Sequence, residues 1–77
     1  MSRDLIRSIL DRRVANVSPA CAMLSSAEVC RNNAMAASTD SGVRHWALRC
    51  VAYTHGILSP EYAELENLLD YGPGVIA

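Results

Sequence analysis

Twelve of the twenty-one residues from 18 to 38 are Ala, Ser or Cys. Side chains this small let helix axes approach towards the lower end of the ~8–10 Å range. Ser18-Pro19 opens the segment with Ser at N-cap and Pro at the first helical position, where its missing N–H is harmless. The spacing predicts a helix over 19–37. Ala20, Met23, Ala27, Cys30, Ala34 and Ala37 share one face. Ala22, Val29 and Ala36 form a second, narrower stripe nearly opposite. A helix with two apolar stripes is either central to a bundle or paired with a second chain. Ser25-x-x-Glu28 also matches a capping box, so the segment reads as one helix or as two broken near Ser25.

The rest of the chain follows the same 3.6-residue period, and no useful stretch alternates as a strand would. Over 2–15, Leu5, Ile6, Ile9, Leu10 and Val14 make one stripe, which Val17 extends, with Arg3, Asp4, Arg7, Ser8, Asp11 and Arg12 on the other side. Ser38-Thr39-Asp40-Ser41-Gly42 is a loop rich in capping groups. A third helix is predicted over 42–55, with Val43, Trp46, Ala47, Cys50, Tyr53, Thr54 and Ile57 inward and Trp46 at the core centre, ending at Gly56. A fourth is predicted over 60–71, capped by Ser59-Pro60, with Tyr62, Leu65, Leu68 and Leu69 inward. An apolar tail, 72–77, comes last. The expected fold is all-α: one domain over 1–77, a compact small bundle of four short helices, or five if the second segment breaks.

Size and composition exclude several classes. The chain has 77 residues, 51% hydrophobic and 19% charged, with a formal net charge of -1. A domain this small buries only about 60% of its unfolded surface, so self-association or docking would add stability. No apolar stretch spans a bilayer. The first residues are broken by charge every three or four positions, unlike a secretory signal. The three cysteines, Cys21, Cys30 and Cys50, are odd in number, which favours a reducing cytoplasm.

No catalytic, cofactor or metal motif stands out. His45, Cys50 and His55 point three ways around one helix, whereas zinc needs convergent ligands. Cys21 and Cys30 lie too far apart on one helix for a disulfide, which needs Cα atoms within about 7 Å. Gly-x-Ser-x-Gly and Gly-rich phosphate loops are absent. Asp40-Ser41 at a helix start matches two residues of the acyl carrier motif. Gly42 stands where carriers have Leu, and Arg44 and Arg49 sit where they are acidic, so that family is rejected. The segment from Ala52 through Gly56 and Ser59 resembles a helix-turn-helix only faintly. Its second helix carries Glu61, Glu64, Glu66 and Asp70 and no Arg, the wrong sign for a phosphate backbone.

The near-neutral charge is a cancellation. Residues 1–57 hold seven Arg against Asp4, Asp11, Glu28 and Asp40, a formal +3, whereas 58–77 hold four acids and no base, a formal -4. Arg13 projects within the apolar stripe of its helix. It either snorkels to solvent or meets Glu61, Glu64, Glu66 or Asp70 of the fourth helix. Val29, flanked by Leu48, suits a partner surface. The expectation is therefore a non-enzymatic protein–protein interaction module that docks through two charged surfaces, Arg3, Arg7, Arg44 and Arg49 on one side and the acidic fourth helix on the other. Short chains of this kind are often regulators or inhibitors, including those of phages and mobile elements. A homodimer is one form such docking could take. The alternative is a nucleic-acid-binding regulator that uses the Arg surface.

Overall fold

The Thr39 hydroxyl accepts a hydrogen bond from the Gly42 N–H at 3.0 Å, and the Ser59 hydroxyl accepts one from the Tyr62 N–H at 3.2 Å. These two side-chain caps start the last two helices of a four-helix chain. The computed structural model describes residues 3–72. It contains α1 (Arg3–Ala15), α2 (Leu24–Ala36), α3 (Asp40–His55) and α4 (Pro60–Tyr71), with no strand among the described residues. Residues 73–77 of the expected tail lie outside the described residues.

The third helix starts earlier than the predicted 42, because the capping group is Thr39 and Asp40 already occupies the first turn. There its carboxylate faces the positive end of the helix dipole. The fourth helix has the predicted bounds. Gly56 terminates α3 at φ 93° and ψ 153°, a backbone region open essentially to glycine alone. Its N–H closes the helix on the Val51 and Ala52 carbonyls.

The largest correction concerns the second helix, which runs Leu24–Ala36 rather than 19–37. Among the described residues there is no fifth helix. Ser18 accepts from the Ala20 N–H at 3.2 Å, a bond to i+2 that makes a local turn instead of an N-cap. Cys21 and Leu24 then donate to the Ser18 and Cys21 carbonyls, at 2.9 and 3.2 Å, as successive three-residue turns. The Ser59 hydroxyl differs because it also donates to the Gly56 carbonyl at 2.6 Å. That bond holds it in capping position, and Tyr62 and Leu65 behind it have a core to enter. After Ser18-Pro19 the side chains are Ala20, Cys21 and Ala22, which bury too little to hold a first turn. Ser25 lies inside α2, and the position before the helix is Met23, which makes no side-chain cap.

The core is one cluster with contributions from all four helices. Ala27 and Ala34 of α2 and Ala47, Cys50 and Val51 of α3 are fully buried, as is Leu10 of α1. Helix α3 touches each of the other three, its most extensive contact is with α2, and α1 also packs on α2. The buried arc of α3 therefore runs from Cys50 through Val43, Ala47 and Val51 to Leu48, about 160° of the helix. This displaces two expectations. Trp46 is not the core centre; with Tyr53 it packs on the cluster from the rim. Leu48, expected beside Val29 on a partner surface, is 6% exposed and belongs to the core. The centre between α2 and α3 has no room for an indole, because both helices place alanines there.

If the close approach of α2 and α3 depends on alanine, enlarging one should separate them. Ala47→Leu is expected to lower unfolding stability by about 1–3 kcal/mol, the range for overpacking a well-filled core. Urea denaturation followed by circular dichroism checks this, and an unchanged midpoint would refute it.

Candidate interaction surface

Most of the arginines are used to tie helices together. Arg44 of α3 donates from Nε to Asp70 Oδ1 at 2.9 Å and from Nη2 to Oδ2 at 3.3 Å, a two-bond fork onto α4. Its Nη2 is also 3.8 Å from Glu66. The hydrogen bond and charge of Asp70 raise the Arg44 pKa. Arg13 of α1 reaches Glu64 of α4 at 3.6 Å, and Arg31 of α2 reaches Asp11 of α1 at 3.6 Å. Arg3 donates to the Met35 carbonyl at 3.2 Å, in the last turn of α2, where helix carbonyls lack internal partners.

Part of the expected charged patches is thus engaged within the chain. Glu64, Glu66 and Asp70 face arginines of the same chain, and Glu61 makes no ion pair among the described residues. Of the predicted Arg surface, Arg3 and Arg44 line one groove of about 510 Å³ with Ile6, Val43 and Leu69. Arg7 lies in a separate groove between α1 and α2, beside Asp11 and Arg31. Arg49 lies in neither of these two grooves.

Arg49 marks a different surface. Its Nη2 donates to the Tyr53 hydroxyl at 2.9 Å, and its guanidinium carbon sits 5.6 Å from the Tyr53 ring centroid. The bond to Tyr53 is the main cause of its raised pKa. Trp46 lies one turn back on the same flank, with His45 edge-on to it at 4.9 Å and 76°. Two adjoining grooves run along this flank. One, of about 330 Å³, lies between α2 and α3 and includes Val29, Cys30 and Trp46. The other, of about 440 Å³, continues past His45 and Ala52 to Ile57 and Tyr62. Arg49 and Tyr53 line both. Three of the chain's four aromatic residues therefore border one continuous face, and among the described residues no Asp or Glu lines it. Val29 is 55% exposed at one end, and Ile57, expected inward but set past the Gly56 stop of α3, is 67% exposed at the other.

Of these residues, the sequence had singled out only Val29, Arg44 and Arg49 as site candidates. The missed signal is helical spacing: Trp46, Arg49 and Tyr53 stand at i, i+3 and i+7 and so share a flank. Periodicity assigns Trp46 and Tyr53 inward and Arg49 outward; Trp46 and Tyr53 are in fact half-buried beside the exposed Arg49.

The thiols do not converge on a site. Cys21, Cys30 and Cys50 are all free. Burial, with a smaller contribution from nearby Cys30, pushes the Cys50 thiol up to about 12. Among the described residues no group of three or more His, Cys, Asp or Glu is placed to hold a metal ion. Nor is any helix of the described residues long and apolar enough to cross a membrane. No family model, curated protein or solved structure matches the chain.

These environments generate two expected outcomes. The Arg13 side chain is only 14% exposed, and its Nε is buried without a hydrogen-bond partner among the described residues. An unpaired buried polar atom costs about 1–3 kcal/mol. Arg13→Met, which keeps the packed stem and removes that atom, should match or exceed wild-type stability, while Arg13→Ala should fall below both. Equal losses in the two variants would show that the charge, rather than the stem, is what stabilises. For Cys50, the unfolded chain ionises near pH 9 while the folded chain holds the proton to about 12. The unfolded state thus binds fewer protons in that window, and stability drops as pH rises through it. Cys50→Ala should show a shallower alkaline loss than wild type in pH-dependent denaturation.

Proposed function

We propose that the chain is a non-enzymatic helical interaction module, a regulator or inhibitor that acts by docking a preformed face on a protein partner. The observation that carries this reading is the face around Arg49. Tyr, Trp and Arg dominate binding energy at protein interfaces, and Trp46, Tyr53, Tyr62 and Arg49 border one surface here. The exposed Val29 and Ile57 supply apolar area at its ends. Arg49 is steadied by Tyr53, so less side-chain freedom is lost on binding. Three free thiols suit a reducing compartment such as the cytoplasm.

The nucleic-acid reading has weaker support. Phosphate binding needs several cations aimed at one backbone. Arg44 already faces Asp70 and Glu66, Arg31 faces Asp11, and Arg3, Arg7 and Arg49 line different grooves.

Cross-linked capture from the source cells, wild type beside Val29→Glu, tests the proposal. Wild type should retain a defined protein that Val29→Glu loses, because a charge at the rim of an apolar groove opposes docking. Identical capture by both would overturn the docking face. Duplex DNA binding that weakens steeply with salt would replace the module by the nucleic-acid alternative. Sedimentation of the same two proteins reads the homodimer: monomer mass for both removes it.

A further inference from the structure

We infer that the Arg49 face receives a partner segment in which an acidic residue stands beside aliphatic or aromatic ones. This rests on the interaction-module reading and adds the chemistry of the occupant. Charge complementarity carries it. Among the described residues, the cationic or titratable basic groups lining the two joined grooves are Arg44, His45 and Arg49, with no carboxylate among the lining residues. The charge of Arg44 is already met by the Asp70 carboxylate, which accepts its two-bond fork. Arg49 differs because its bonded partner is a phenol hydroxyl, so its positive charge has no acid beside it. The guanidinium is planar and carries five N–H donors, of which the Tyr53 bond uses one and the Cys30 thiol engages another. The remainder match a carboxylate, which takes two parallel bonds from such a fork.

The apolar half of the occupant is set by the side chains flanking Arg49. The groove towards α2 is walled by Trp46 and Val29, and the groove towards the α3–α4 turn by Tyr53, Tyr62 and Ile57. An aliphatic or aromatic side chain on either side of the acid would fill one of them. A second copy of this chain fits less well. On its acidic helix Glu64 is engaged by Arg13 and Glu66 and Asp70 by Arg44, which leaves Glu61 as the one acid of that helix with no ion pair among the described residues.

Trp46 is the chain's single tryptophan, so its emission reports occupancy of this face. Selection of a displayed random-peptide library on the full chain tests the inference. Enriched peptides should combine Asp or Glu with Leu, Ile, Phe or Trp, and should shift Trp46 emission. They should bind Arg49→Glu about tenfold or more weakly, the loss expected when a paired charge meets its like. Replacing their acid by Lys should restore binding to Arg49→Glu. Arg49 is exposed, and unchanged circular dichroism confirms that this variant folds. Enrichment of basic peptides, binding indifferent to Arg49→Glu, no enrichment, or a dimer that itself shifts Trp46 emission would each overturn the inference. If capture of the cellular partner is lost with Val29→Glu but kept with Arg49→Glu, the docking face stands and its acidic occupant falls. If both variants keep the partner, the docking face falls as well.

Discussion

The contact between α2 and α3 is the constraint on which the other placements depend. Both helices offer alanine where they meet, Ala27 and Ala34 on one side and Ala47 on the other, and all three are fully buried. Close axes bury backbone and small side chains efficiently but leave no space for a large one. Bulk is therefore supplied from outside the seam, by Ile6 and Leu10 of α1 and by Leu65 and Leu68 of α4. The same exclusion sends Trp46 and Tyr53 to the rim, which creates the aromatic face. Packing at the seam and composition of the surface are thus one decision.

Charge is organised around that arrangement. Arg44 and Arg13 pull α4 against the body of the molecule from α3 and α1 respectively. Helix α4 has close backbone contact with α3 alone, so these side-chain ties supplement a modest packing interface. The formal +3 and -4 of the two chain segments largely cancel across these pairs. An ion pair at the surface contributes little to stability, but several of fixed geometry specify which helices are neighbours. What remains uncompensated is local, and Arg49 on the aromatic flank is the clearest instance.

Much of the architecture is legible in the residues alone. Ser59-Pro60, Gly56 and Gly72 mark helix ends through bonds that span at most five residues. The stripes of α1 and α4 come from period alone. The start of α2 is misread because Ser18-Pro19 carries the same two residues as Ser59-Pro60, and the difference lies in the side chains after them. One pair leads into Tyr62 and Leu65, the other into Ala20 and Ala22. The site is less legible still. Arg13 stands out as an oddity within an apolar stripe, yet its partner Glu64 is one of four acids of the fourth helix that could meet it.

The chain by itself determined that it is all-α, where most helices stop and which faces of α1 and α4 turn inward, because those outcomes rest on interactions between near neighbours. Tertiary structure alone decided which arc of α3 is buried, which acid each arginine meets and which aromatics stay at the surface. Those outcomes join residues such as Arg44 and Asp70, or Val29 and Tyr53, that are distant in sequence. They depend on how closely two alanine-faced helices can approach, a distance that no local pattern encodes.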